Sequence, residues 1–511
     1  MNENKRIAKN TIYLYIRTAI TMLIALYTSR VILKQLGVSD YGVYNAIGGV
    51  VAMFSTLSGT LSGATCRYIT FAIGKNDSGY LKKVFSASLL IHVALALIVI
   101  ILAETLGLWY INNKLNIPDG RSIAAMFVYQ ASVISFAVDI VTLPFNSAIM
   151  AYERFGFYAT VDIARACLKV ALVSCLGLFR SDVLIVYCIM EFCLMLVYKG
   201  SYFAYVKSNF KDCSAGRVRD GSLYRELIGF TGWNFFGTAS SVVYTQGSNL
   251  MLNYFWGVLL NAAMGVTSQV SNAVTAFVSN FTLAVNPQIT KSYAVNDYGR
   301  TRDLIFLGSK IASYLLLIVG FPVVANLHYI LNLWLVEVPE HTELFVHFAL
   351  LAAFFGAFNN PFNCLMFATG NIKAYQISCV IINVMSVVGL YFCFAAHMNP
   401  VIIYILMIVQ SFLKLAVMLA LARKAISFPI GKFLFSVYGK SMCLLAVILG
   451  VLLFKQQVHY EMNFLLFIGE LFLCVIIMAL LIYALGLKTS ERKYVREIIC
   501  NKLHIKTSYA E

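Results

Sequence analysis

Ionisable side chains set inside long apolar runs are the residues of this sequence that could do chemistry. Arg17 stands about seven residues into the first such run, roughly 10 Å at 1.5 Å per residue, and Arg30 lies near its far end. A charge at the centre of a membrane-spanning helix costs about 2.5–3.5 kcal/mol on insertion scales, so each one requires a reason. Two arginines on one helix make a cationic ladder suited to pyrophosphate, because guanidinium grips phosphate oxygens bidentately and never loses its charge. The competing reading is snorkelling to the interface or a structural ion pair. Further on, Asp162, Arg165 and Lys169 are three and four residues apart and share one helical face. Asp139 sits at a similar depth on the preceding run. The two aspartates are candidates for a gate or cation-coupling site, paired with Arg165 or Lys169; a buried structural network fits the same pattern.

The second half of the chain has fewer such charges, Lys310 and Lys414. One of its runs carries Thr267, Ser271, Thr275 and Ser279 at intervals of four, with Asn272 adjacent. A polar stripe of this kind suits the wall of a wet cavity, although Ser and Thr also pack helices together in lipid. Asn234, Ser240, Ser241, Thr245, Gln246 and Asn249 read similarly. The candidate substrate-binding set is therefore Arg17, Arg30, Arg165, Lys169, Lys310, Lys414, Thr267, Ser271 and Asn272. Pro144 and Pro361 are candidate hinges, with Asn146 and Asn363 placed to satisfy the carbonyls a proline frees. Gly59-x-x-x-Gly63 is a helix-packing motif. The twelve cysteines lie mostly in apolar runs and show no metal-ligand spacing, so they read as small buried hydrophobes. No metal or cofactor is expected.

The elements that position these residues follow from composition. Of 511 residues 60% are hydrophobic and 12% charged, with a mean hydropathy of +0.79; a soluble domain has roughly 25% charged residues. Apolar runs suggest fourteen membrane spans near 10–34, 41–66, 82–110, 122–149, 156–179, 182–206, 226–254, 259–286, 303–333, 342–368, 374–396, 400–422, 433–454 and 462–486. Every connection is short, the longest and most basic running from Lys207 to Leu223. That leaves no room for a catalytic domain, and no Ser/His/Asp, paired-carboxylate or nucleotide-binding arrangement stands out, so an enzyme is not expected. The net charge of +16 forms no basic groove with interleaved aromatics, which argues against nucleic acid. Instead 25 Lys and Arg fall on one side of the predicted membrane and 5 on the other, placing both termini in the cytoplasm.

An internal repeat organises the spans. A shift of 220 residues sets Gly37-Val38 on Gly257-Val258, Tyr13 on Trp233, and Asn76-Asp77-Ser78-Gly79 on Asn296-Asp297-Tyr298-Gly299. A shift of 217 sets Pro144-Phe145-Asn146 on Pro361-Phe362-Asn363, Ala151 on Ala368 and Tyr158 on Tyr375. Six spans per repeat give both halves the same orientation, related by an axis along the membrane normal. The expected fold is an all-α integral membrane protein with two six-helix lobes as a parallel repeat around a central cavity, plus two extra C-terminal helices. The divisions are an N-terminal lobe 1–206, a basic linker 207–223, a C-terminal lobe 224–424, and a last helix pair with a basic tail 425–511.

The opening Asn10-Thr11-Ile12-Tyr13, with Arg30-Val31-Ile32-Leu33 and Leu36-Gly37-Val38-Ser39-Asp40-Tyr41-Gly42-Val43-Tyr44, resembles the first two helices of polysaccharide-export flippases. These belong to the multidrug/oligosaccharidyl-lipid/polysaccharide (MOP) superfamily, with the O-antigen (Wzx-type) flippases as the nearest branch. The resemblance implies translocation of an undecaprenyl-pyrophosphate-linked oligosaccharide to the outer leaflet of a bacterial inner membrane by alternating access. Implied partners are that lipid-linked oligosaccharide, membrane lipids and other polysaccharide assembly proteins, with the chain a monomer. The fourteen-helix count also resembles peptidoglycan-precursor flippases, and a cation-coupled multidrug exporter would share the duplicated fold. A drug exporter is expected to present carboxylates to cationic drugs, whereas Arg17, Arg165, Lys169, Lys310 and Lys414 make these spans net basic.

Overall fold

A computed structural model describes residues 3–52, 55–109, 111, 120–179, 182–216, 218–256, 258–335, 338–456, 462–487 and 491–492, some of them in the 25–61 and 253–262 stretches by backbone alone. Gly257 of the repeat lies outside the described residues, as does most of the basic tail.

The chain is all-helical. In order come α1 (Glu3–Ala52), α2 (Ser55–Gly74), α3 (Ser78–Leu102), α4 (Ser122–Ala151), α5 (Phe155–Ser174), α6 (Val183–Asn209), α7 (Gly221–Trp256) and α8 (Val258–Ala294). There follow α9 (Tyr298–Ala325), α10 (Leu327–Trp334), α11 (Thr342–Ala357), α12 (Asn359–Thr369), α13 (Lys373–Ala395) and α14 (Ile402–Ile426). The chain ends with α15 (Ile430–Phe433), α16 (Lys440–Gln456) and α17 (Phe464–Leu481). Short π-helical turns, Ala103–Gly107, Leu434–Gly439 and Ile482–Gly486, carry α3 onward, join α15 to α16, and extend α17.

Among the described residues eight helices are long and apolar enough to cross a membrane, or nine if α11 and α12, bent by 41° at their break, form one span. These make the chain a multi-pass membrane protein. The other long helices, α1, α2, α5, α7 and α8, carry more polar side chains. They are the ones that hold most of the candidate site residues, which follows if a polar span must be sheltered by apolar neighbours.

The first two predicted spans are corrected. No break falls between 34 and 41; α1 runs for 50 residues. The intervening segment has a single glycine and no proline, and one glycine costs a helix only about 1 kcal/mol. Asp40 is moreover tied to Arg121 at the start of α4. Pro144 lies inside α4, which runs through it as one helix. Pro361, by contrast, follows the break between α11 and α12. Asn146 Oδ1 has no partner among the described residues, while Asn363 Oδ1 accepts from the Tyr375 hydroxyl.

The chain divides into two compact units. The first comprises Met1–Val243, Leu283–Thr301 and Asn363–Ile381; the second comprises Tyr244–Thr282, Arg302–Phe362 and Ile382–Glu511. In the first, Tyr68, Phe85, Phe145, Tyr202 and Phe230 centre a buried cluster with edge-to-face ring pairs such as Phe85–Phe145 at 5.3 Å. Lipid removes most of the hydrophobic drive between helices, so close packing and aromatic geometry, about 0.5–1.5 kcal/mol per pair, carry the cohesion. In the second, Leu252, Phe345, Leu390, Phe394 and Tyr404 form a comparable cluster.

Two turns repeat at matched positions. Asn76 and Asn296 both adopt left-handed backbone, φ +54 and +60, and each ends a helix with the same pair of backbone bonds. Asp77 and Asp297 then cap the next helix, accepting from Tyr80 N at 2.8 Å and Arg300 N at 2.9 Å. Asp220, in the basic connection, caps α7 likewise; bonds from the Ser222 hydroxyl and Leu223 N hold its carboxyl below the usual range.

Candidate functional site

Seven charged groups of the first unit gather on α1, α4, α5 and α6. Arg17 Nε donates to Asp162 Oδ2 at 2.5 Å, and its guanidinium lies 4.7 Å from the Tyr158 ring centre. Asp162 also accepts from the Tyr198 hydroxyl at 2.7 Å, and Tyr198 pairs with Tyr202. One helical turn along, Arg165 stacks on Tyr198 at 4.7 Å and makes no ion pair among the described residues. Lys169 bonds Glu191 at 2.9 Å, and Lys199 pairs with Asp139.

These pairings differ from those the spacing suggested. Neither aspartate pairs with Arg165 or Lys169; α6 and α1 supply the partners instead. Lys199 and Glu191 were not singled out from sequence, although both lie inside the predicted span 182–206. Tyr158 was marked only as a repeat match to Tyr375, and Tyr198 and Tyr202 carried no signal beyond their placement on the next helix. The group holds Arg17, Arg165, Lys169 and Lys199 against Asp139, Asp162 and Glu191, four cations to three carboxylates, hence +1. Arg17 is 22% exposed and Asp139 32%, so neither is fully enclosed by protein. The side chain of Arg30 lies outside the described residues.

In the second unit the candidate residues are dispersed. Lys310, 6% exposed, pairs with Glu491 just past the last span, which makes it a tether for the tail. Thr267 is buried, and its hydroxyl has no hydrogen-bond partner among the described residues. Thr275 and Ser279 return their hydroxyls to Ser271 O and Thr275 O of their own helix. Ser271 is half-buried, Asn272 exposed and Lys414 half-buried. Thr275 and Ser279 of the stripe are thus satisfied by α8 itself, whereas Thr267 is not. A cavity of about 260 Å³ in this unit is lined by Leu316, Phe321, Phe348, Phe354 and Ile448, and none of the candidate residues faces it.

Two further clusters in the first unit were not singled out either. Arg67, 8% exposed, donates to Phe367 O at 2.9 Å and Ala368 O at 3.1 Å, and lies 4.3 Å from the Tyr68 ring. Glu153, whose side chain is 2% exposed, receives Gln288, Lys291 and Arg6. Arg67 falls at a predicted span end and Glu153 in a loop, where a charge reads as topology.

No family model matches the sequence, and no curated protein matches it. Solved structures do. The outward-facing conformation of a multidrug resistance MATE family transporter of the MOP superfamily aligns at TM-score 0.67 and 14% identity, covering 84% of this chain and 96% of that one. A MOP superfamily transporter from Pyrococcus furiosus, described as having reversed binding-pocket polarity that suggests a different function, aligns at 0.70 and 12%, covering 84% and 96%. A Vibrio cholerae MATE transporter variant aligns at 0.68 and 16%, covering 83% and 97%. The chain therefore has the fold of MATE-type transporters of the MOP superfamily, over nearly their whole length.

Proposed function

We propose that this protein exports an anionic amphiphile, an undecaprenyl-pyrophosphate-linked oligosaccharide, from the cytoplasmic to the outer leaflet of a bacterial inner membrane. The observation that carries the reading is the +1 ladder on α1, α4, α5 and α6, in which Arg165 makes no ion pair among the described residues. Arginine above an aromatic ring on a partly exposed helical face suits a pyrophosphate better than a cationic drug. Two six-helix lobes rocking about the membrane normal would carry the headgroup by alternating access. An inside-negative potential favours outward movement of an anion by roughly 2.3 kcal/mol per charge per 100 mV. The two carboxylates Asp139 and Asp162 serve as gate residues, and Pro361 as the hinge.

The same fold accommodates a cation-coupled multidrug exporter, and the part-exposed Asp139 is the observation that favours it. Export of a peptidoglycan precursor differs only in the glycan carried. Deleting the gene separates these: the reading expects one lipid-linked glycan to accumulate on the cytoplasmic face. Unchanged lipid-linked glycans with raised sensitivity to cationic drugs would favour the exporter.

A further inference from the structure

Glu153 has no part in the reading above, and its setting is unusual. It lies in the turn between α4 and α5, in left-handed backbone at φ +58, a region that favours glycine. Three segments converge on its carboxylate. Gln288 Nε2 donates to both oxygens at 2.7 Å, Lys291 Nζ to one at 2.6 Å, and Arg6 Nε lies 2.8 Å from the other. The carboxylate is enclosed, yet Arg6 is 40% exposed and Lys291 20%. The cations that hold it are thus only partly covered by protein.

The repeat shows what the turn itself requires. A shift of 217 sets Glu153 over Gly370, which is also left-handed at φ +79. Arg67 grips that second turn through Phe367 O and Ala368 O, and a Cβ on Gly370 would lie 2.5 Å from its guanidinium. The end of α2 thus holds a turn of the second half, and the end of α8 holds the matching turn of the first. The two helix ends approach so closely that a Cβ on Gly74 would lie 3.0 Å from Ala294 Cβ; a shift of 220 makes these repeat partners. Glycine fills the left-handed position at 370 without strain. Glutamate at 153 keeps a carboxylate there against that preference, which a turn alone does not call for.

We propose that Glu153 is a built-in anion that locks this end of the bundle shut, and that phosphate of the transported lipid opens it by taking over Arg6, Gln288 and Lys291. The proposal rests on the flippase reading. Carboxylate and phosphate offer Arg, Lys and amide donors the same charge-assisted acceptor pair. Opening without an anion would strand two cations; opening by exchange leaves each paired. Headgroup binding and gate release are then one event, driven by the ligand's preference for the open form.

Cys364 provides the readout. It is buried, and its thiol donates to Asn286 O at 3.2 Å on the helix that bears Gln288 and Lys291. Maleimide labelling of the full-length protein in detergent, read peptide by peptide, should be slow in the wild type. Glu153→Gln and Glu153→Gly should each speed Cys364 labelling by about 100-fold, the effect expected when a buried ion pair is broken. Cys188, buried in a separate cluster, should stay protected. Should both thiols become exposed, the swap Glu153→Lys with Lys291→Glu decides, since restored protection of Cys364 supports the lock and its absence overturns it. Unchanged labelling in both Glu153 variants also overturns it. Farnesyl pyrophosphate and inorganic pyrophosphate, added separately to the wild type, should speed labelling, while Glu153→Gln shows no further gain. A response to farnesyl pyrophosphate alone identifies a lipid headgroup as the opener, and a response to neither overturns the exchange. A protein that flips lipid but labels unchanged loses only the lock. One that opens for pyrophosphate yet moves no lipid loses only the flippase reading.

Discussion

Arg17 and Asp162 hold each other in a setting where neither tolerates being alone. Asp162 is 13% exposed, and its other partner is the neutral Tyr198 hydroxyl. Removing one member of such a buried pair costs about 3–5 kcal/mol, so Arg17→Ala should lower the thermal midpoint in detergent markedly. The double variant Arg17→Ala with Asp162→Ala should recover most of that loss. Arg17→Lys should keep stability but only part of the export, because a point charge cannot reproduce bidentate geometry. Full export by a stable Arg17→Ala protein would remove Arg17 from the mechanism. That Arg17, Asp139 and Asp162 needed partners was legible from their depth in apolar runs. Which partners they took was not, because Lys199 and Glu191 approach from α6, and a pairing between helices far apart in the chain leaves no local spacing to read.

At the scale of elements the two prolines part company. Pro144 sits inside an unbroken α4, where it removes a hydrogen bond, so Pro144→Ala should stabilise the protein without altering export. Pro361 follows the 41° bend between α11 and α12, and Pro361→Ala should straighten the pair and slow export if the bend is a hinge. Equal effects of both substitutions on export would contradict the distinction. The left-handed glycines give a paired test. Gly370→Ala meets Arg67 as well as backbone strain, whereas Gly120→Ala, at φ +78 with nothing within 4 Å, meets strain alone. The first should cost clearly more than the roughly 1–2 kcal/mol of the second, measured by thermal unfolding. Helix existence was legible throughout from hydropathy. The continuity of α1 was not, since Gly37 near Asp40 looks like a turn, and only the distant Arg121 shows why the helix continues.

For the whole molecule, hydropathy and charge asymmetry made a multi-pass helical protein legible. The turns at Asn76 and Asn296 keep the same backbone at the repeat spacing. The first compact unit takes in Leu283–Thr301 and Asn363–Ile381, the segments gripped through Glu153 and Arg67. No sequence period announces such an exchange, since its donors and acceptors lie on different helices. Topology has its own check: accessibility mapping should place Lys211 in the cytoplasm and Glu340 outside, and finding both on one side would overturn the orientation. The central claim is that the cargo is a polyprenyl-pyrophosphate glycolipid. Its most direct test is purified protein in liposomes carrying a fluorescent undecaprenyl-pyrophosphate oligosaccharide, with a cationic dye in a parallel set. The account predicts that the glycolipid equilibrates between leaflets with protein present, faster under a potential that drives anions outward, and that dye flux stays at background. Dye transport driven by a proton or sodium gradient, with the glycolipid left in its leaflet, would contradict it.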